Sequence, residues 1–360
     1  MGAGGEVANA RVCKTCIRGF NSRPALQKQG TKDSGTKGTR KQELRNSRVE
    51  TNLRTRREVL RSIAALTAGA ALPPLNSARV FAEPGRIPAG IRFGVQLNAF
   101  PIDPKRFETF LAALDQVKQI GYQGFESSFR NVQAQFDNPA PARRQIEQTG
   151  LTFFGVHIFL PGFDLYDPNT HIAAPSFYEP IVRGGAALGA KHLVLSGAPC
   201  ADAGQLKRKI EGLNAAGRFA QSAGLGVAYH NHWWEFESKI DEPQKTEQET
   251  EIEALYTQTD PSLVRFVLDA GHAYHGGADV PAFIRAHSAR IAGFHLRDYK
   301  NGKLSTLGTG TFPLAQVAAT IKQIGWKGWV ENEEEREDSS KNGVDVVAPA
   351  FKAMKEAFTS

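Results

Sequence analysis

From Ile91 to the C-terminus the chain repeats one theme: an apolar, β-rich run, a polar loop, an amphipathic stretch and then a glycine. Strand candidates fall at 91–97, 124–126, 151–157, 191–196, 225–230, 264–269, 291–296 and 328–331. Gly121, Gly150, Gly189, Gly224 and Gly325 each follow a helical pattern and precede a strand pattern, where a left-handed C-cap belongs. The helix predicted over 104–120 carries Phe107, Phe110, Leu111, Leu114, Val117 and Ile120 at helical spacing. Asp103 is its expected N-cap and Pro104 its first residue. Thr246 and Glu249 make a capping-box pattern before a helix through Leu255. Eight strands alternating with helices over about 270 residues predict a single-domain α/β fold, the (β/α)8 TIM barrel. The rival is a doubly wound open sheet. No GxGxxG or GxxxxGKS/T pattern follows the first strand, which argues against its nucleotide-binding versions.

Charge separates the chain into a leader and a working domain. Of the 44 Lys/Arg, 16 lie in residues 1–82, with only 5 of the 37 Asp/Glu; the net charge of +7 becomes −4 from residue 83 onward. All nine histidines also follow residue 82. A mildly acidic domain has no phosphate-tracking surface, so nucleic acid is not an expected partner. Residues 1–50 are polar and basic, and are expected to be disordered or a misassigned extension. Residues 51–82 resemble a twin-arginine signal peptide. Thr55-Arg56-Arg57-Glu58-Val59-Leu60 is followed by an apolar stretch from Ile63 to Leu72 and by Val80-Phe81-Ala82 as a cleavage pattern. That stretch is about half of the roughly 20 residues that span a bilayer. The barrel is then expected over 83–360, periplasmic or secreted, with the twin-arginine translocase as a partner during export and no membrane contact after cleavage. A homo-oligomer is compatible with the sequence. Cys13 and Cys16 form a lone CxxC in the leader, and Cys200 alone remains after it, so the barrel has no internal disulfide.

Four strand ends carry metal-ligand residue types: "YHNH" (229–232), "LDAGH" (268–272), "FHLRD" (294–298) and "VENE" (330–333). A parallel barrel gathers the C-terminal ends of its strands at one mouth. His230, Asp269, His295 and Glu331 can therefore meet at one ion, and imidazole with carboxylate suits Mn²⁺, Zn²⁺, Co²⁺ or Fe²⁺. Period-two alternation places His232 on the side of His230, and Arg297 on the side of His295. His232, Trp233, Glu235, His272 and Arg297 are the candidate substrate contacts. Glu126 ends the second strand and His157 the third; with Glu331 they are the candidate proton-transfer groups.

From about Ile91 to Phe358 the chain resembles the xylose isomerase-like TIM barrels of the sugar phosphate isomerase/epimerase type. "YHNH…EF", "LDAGH", "HLRD" and the glutamate of the closing strand carry the resemblance. It implies a divalent metal, most often Mn²⁺ (with Co²⁺, Zn²⁺, Fe²⁺ or Mg²⁺ in its place), on His230, Asp269, His295 and Glu331. It also implies a sugar or keto-sugar substrate and proton abstraction next to a carbonyl through a metal-stabilised enediolate. The chain departs from the epimerases at strand five, where their glutamate, both ligand and base, is matched by His230. That puts two-base epimerisation in doubt and keeps open β-elimination by a keto-glycoside lyase or dehydratase. Related barrels include inosose dehydratases and endonuclease IV. An endonuclease IV-like phosphoesterase and a non-catalytic sugar-binding module are therefore rival functions for the same scaffold.

A reporter active only after export should be exported when fused behind residues 50–90. Replacing Arg56 and Arg57 by Lys should abolish or strongly reduce this, because that route reads the guanidinium pair as an address. Undiminished export of the Lys-Lys form would refute the signal assignment.

Overall fold

The structure, a computed structural model, describes residues 87–240, 249–334 and 343–360. The predicted leader, with its twin-arginine pattern and its CxxC, lies outside these residues. Eight parallel strands close into a barrel: β1 Ile91–Gln96, β2 Gly124–Ser128, β3 Thr152–Ile158, β4 His192–Leu195, β5 Gly226–His230, β6 Val264–Asp269, β7 Ile291–Leu296 and β8 Gly328–Glu333. β1 closes the ring on β8 in the register Ile91↔Gly328 through Gln96↔Glu333. Helices cover the outside, among them Phe107–Ile120, Pro139–Thr149, Pro175–Leu188, Ala203–Ser222, Leu314–Gln323 and Val344–Thr359. The arrangement is the (β/α)8 TIM barrel that the alternation predicts. No helix among the described residues is long and apolar enough to cross a membrane.

Two expectations about helix starts need correction. The first helix begins at Phe107, with Arg106 at its N-cap, rather than at 104. Asp103 instead accepts from Lys105 N at 2.9 Å and closes a turn of its own. An Asp two residues before a free N–H competes with helix capping in this way. The helix Glu251–Gln258 is capped by Thr250, whose side chain accepts from Glu253 N at 3.4 Å. Glu249 lies in a short strand pair with Ile240, and Thr246 lies outside the described residues. The glycine caps are as expected, with φ of 113° at Gly121 and 96° at Gly189, a region a side chain rarely adopts.

Strand alternation sorts the barrel interior into levels. Phe154, Val194, Ala228, Val267 and Trp329 form an apolar cluster separate from the core beneath the helices. Two residues further along the same faces stand Ser196, His230, Asp269 and Glu331, and two beyond Glu331 stands Glu333. An apolar floor therefore carries a polar upper half. A register shift between Phe125 and Glu126 against β3 sets Glu126 opposite Gly155. A Cβ on Gly155 would lie 2.7 Å from Val194 Cγ2 and 3.4 Å from Glu126 Oε2, so the glycine leaves room for the carboxylate.

Past β7, the buried Asp298 holds the following loop. It accepts from the backbone N–H groups of Tyr299 (2.7 Å), Phe312 (2.8 Å), Gly310 (2.8 Å) and Gly308 (3.0 Å). Asp298→Ala should lower stability by on the order of 3 kcal/mol, since it strands several backbone donors at once. Urea denaturation checks this, and a change below about 0.5 kcal/mol, typical of neutral surface sites, would contradict it.

Candidate functional site

The polar half of the barrel holds a cluster of ionisable groups with almost no solvent contact: Glu126, His230, Asp269, His295, Arg297, Glu331 and Glu333 are each at most 1% exposed. His230, Asp269, His295 and Glu333 offer one ligand atom each, all within 4.8 Å of one another. His230 Nε2 lies 3.1 Å from Glu333 Oε2 and 3.5 Å from Asp269 Oδ2, and His295 Nδ1 lies 2.6 Å from Glu333 Oε2. The eighth-strand member of this quartet is Glu333, not the expected Glu331. β8 runs two residues further than the apolar run suggests, so the carboxylate that reaches His230 and Asp269 lies two positions later. Glu331 sits deeper and joins Glu126 and His295 in a second group, at 3.3 and 3.4 Å for the Glu331 and Glu126 contacts of His295 Nε2.

The quartet's carboxylates are aimed by fixed partners. Asp269 caps the short helix Ala270–His275, its Oδ1 accepting from His272 N at 2.7 Å. Asn231 grips the backbone of Asp269 from both sides, at 3.0 and 3.1 Å. Glu333 Oε1 accepts from Asn98 Nδ2 at 3.1 Å. Arg297 completes the cluster: its Nε donates to Asp269 Oδ2, and its Nη2 pairs with Glu333 Oε2, both at 2.6 Å.

Electrostatics follow from this crowding. Burial disfavours charge on Glu333, but Arg297, His295 and His230 outweigh it and hold the carboxyl well below its ordinary range. Burial likewise opposes ionisation of His230, yet Glu333 and Asp269 raise it to about 9; Glu126 and Glu333 hold His295 well above its usual value in the same manner. For Glu126 the attraction of His295 and His157 overcomes burial, to about 2. Glu331 goes the other way. Burial, reinforced by Glu126 and Glu333 against the pull of His295, lifts it to about 7, and its Oε1 has no hydrogen-bond partner. The anionic oxygens here face imidazole nitrogens and a guanidinium, so they point to a region where positive charge is favourable. Two imidazoles and two carboxylates at this spacing fit a divalent metal ion.

A cavity of about 90 Å³ opens at this end, with Asn98, His157, Phe159, His230, His232 and Glu333 among its lining residues. His157 is the one expected proton-transfer group that borders it; Glu126 and Glu331 lie below. His157 Nδ1 stands 2.8 Å from Glu126 Oε1, and its Nε2 stands 3.1 Å from Ser196 Oγ, which in turn lies 3.3 Å from His230 Nδ1. His232 and His272 stay neutral: burial, then the positive charges of His230 and Arg297 respectively, push both well below the usual histidine value. Each keeps a ring nitrogen without a partner, Nδ1 of His232 and Nε2 of His272. His272 Nδ1 meets Tyr299 OH at 2.6 Å.

Two candidate substrate contacts are placed elsewhere. Glu235 accepts from Tyr229 OH at 2.6 Å and from His232 N at 2.8 Å on the outer face of β5, so it shapes the loop that presents His232. Trp233 is half-buried against Trp234 and His275, while Trp234 stacks on His232 with ring centroids 4.1 Å apart. Serine at the end of β4 and asparagine beside His230 also belong to the site. Period-two spacing from Val194 and Glu331 points to Ser196 and Glu333; Asn98 and Asn231 have no comparable signal.

The model of the family described as the xylose isomerase-like TIM barrel matches residues 114–357. Among curated relatives, an inosose dehydratase of Bacillus anthracis is 26% identical over 169 residues, 42% of this chain and 54% of that protein. One of Salmonella agona is 26% identical over 165 residues, 41% and 52% of the two chains. The chain thus spans about half the length of the curated relatives it matches. A sugar phosphate isomerase/epimerase from Parabacteroides distasonis superposes with a TM-score of 0.60 at 20% identity, covering 76% of this chain and 96% of that one. A 3-keto-D-glucoside 4-epimerase from E. coli gives 0.54 at 16%, covering 73% and 99%. At these identities the superpositions show the shared fold. The family match over most of the barrel shows that the chain belongs to the xylose isomerase-like TIM barrel family.

Proposed function

We propose that the protein is a divalent-metal-dependent enzyme that removes a proton next to the carbonyl of a sugar or keto-sugar. The observation that carries this is the buried quartet of His230, Asp269, His295 and Glu333, of which His230 and Glu333 line a small polar cavity. These four residues would hold the ion, with Mn²⁺ the first choice. Bound there, it would supply Lewis-acid polarisation of substrate oxygens. The chain's own groups do the rest. His157, which lines the cavity, moves the proton: Glu126 fixes its orientation through Nδ1, and Nε2 faces Ser196. His232 and His272, neutral and each with an unpartnered nitrogen, hold substrate hydroxyls. Trp234 and Phe159 pack on His232 and exclude water from that side. The substrate is unphosphorylated, and the enzyme works after export; support for export comes from the arginine pair at 56–57.

A second reading, β-elimination, has an observation of its own. Epimerisation at one carbon requires a proton-transfer group on each face of the substrate, and strand five supplies His230, held raised to about 9 by Glu333 and Asp269 against burial, in place of a carboxylate. An oriented imidazole can instead take the proton and return it to a departing hydroxyl. Inosose dehydratases among the relatives fit the same chemistry.

A panel of ketoses and 3-keto-glucosides in D₂O, followed by NMR, tests the proposal. Exchange of a single carbon-bound hydrogen should require added metal. A reversible second sugar identifies isomerisation or epimerisation; loss of water or of the aglycone identifies elimination. His157→Ala should lower kcat by about 10²–10⁴ with metal content unchanged. Asp269→Ala and Glu333→Ala should lose the metal, whereas Glu331→Gln should keep it. If the protein takes up no divalent ion and exchanges no hydrogen, the sugar-binding module takes the place of the enzyme.

A further inference from the structure

Arg297 occupies a particular position relative to the quartet, and this bears on how an ion would enter. Each of the two carboxylates has one oxygen already engaged: Asp269 Oδ1 by the N–H of His272 and Glu333 Oε1 by the amide of Asn98. That leaves Asp269 Oδ2 and Glu333 Oε2, the oxygens that also face His230. Arg297 takes both, each at 2.6 Å. Its stem is seated beside Gly271, where a Cβ would collide with Arg297 Cγ and the Arg297 carbonyl. The seat fixes the stem, so the head is the part that can change partners.

We propose that Arg297 is a built-in competitor of the metal, its guanidinium holding the two carboxylate oxygens a divalent ion needs and leaving them when the ion binds. The inference rests on the quartet being the metal site. A guanidinium and a divalent cation on the same two oxygens repel each other in a site that water cannot screen. The metal-free barrel keeps its buried carboxylates paired, so the site survives without an ion. Metal loading then frees a planar, permanently charged fork for substrate oxygens at the moment the site becomes competent. This separates Arg297 from an ordinary outer partner of a ligand, whose loss weakens the metal by misaiming that ligand.

The sign of the effect decides between them. Metal-stripped full-length protein is titrated with Mn²⁺ by calorimetry and by chelator competition, as wild type, Arg297→Gln and Arg297→Lys. Arg297→Gln should bind about tenfold tighter, a change of about 1.4 kcal/mol, with Arg297→Lys in between. An unchanged or weakened affinity overturns the proposal. A readout on the wild type covers a variant that fails to fold. In arginine-selective NMR, the protected Nε–H signal of the metal-free protein, assigned by its loss in a variant or by its exchange protection, should shift or vanish with the diamagnetic ion Zn²⁺. A signal unmoved at saturation overturns the proposal while leaving the metal site standing. A wild type that takes up no ion at all overturns the metal site and the proposal together.

Discussion

Carboxylates that water does not reach must be matched by positive charge, and this one constraint organises the upper half of the barrel. Glu126, Asp269 and Glu333 are fully buried, and His295, His230 and Arg297 stand against them at 2.6 to 3.5 Å. An isolated buried ion costs several kcal/mol even after relaxation, so each group is tolerable only because its partners are there. The consequences reach beyond the charges. Asn98 and Asn231 are tied to Glu333 and Asp269, and Gly155 and Gly271 make room for Glu126 and Arg297. The apolar floor of Phe154, Val194, Ala228, Val267 and Trp329 closes the barrel beneath, keeping the local dielectric low.

The same constraint gives similar side chains different states. Glu333 and Glu331 are two residues apart on one strand, yet the first is held ionised by Arg297, His295 and His230 against burial, and the second is driven up to about 7 by burial and its carboxylate neighbours. His230 and His232 are likewise two apart; the first faces carboxylates and gains a proton, the second faces cations and stays neutral. Charged groups thus gather at the quartet, while His232, neutral and with an unpartnered Nδ1, borders the cavity beside them. Tyr229, Glu235, Lys209 and Glu251 form a separate buried network outside β5, with Lys209 Nζ 2.6 Å from Glu251 Oε1 and Glu235 holding the N–H of His232. It props the strand-five loop from behind.

The barrel was legible because hydrophobic period and glycine caps repeat around the ring, and a repeated signal tolerates small errors at each boundary. The site was legible at the level of strands and less so at single residues. His230 and Asp269 end strands whose apolar runs stop abruptly, and His295 stands one residue before the end of its strand, so their level in the barrel could be counted. Glu331 and Glu333 sit in an acidic run where nothing apolar marks the strand end, and the ladder with β1 through Gln96↔Glu333 decides. Trp233 and Trp234 are adjacent, and only the loop geometry turns Trp234 onto His232. Glu235 carries the residue type of a site group, but the outward-facing Tyr229 captures it. Pairings between distant loops, such as Asn98 with Glu333, leave no local pattern.

The chemistry of this barrel turns on whether His230, Asp269, His295 and Glu333 bind one divalent ion. Crystals of the metal-stripped protein equilibrated with Mn²⁺ or Zn²⁺, with data collected on either side of that metal's absorption edge, give the direct answer. The account predicts one anomalous peak within about 2 Å of donor atoms from all four residues. A peak instead among Glu126, His295 and Glu331, or no peak inside the barrel, would contradict it.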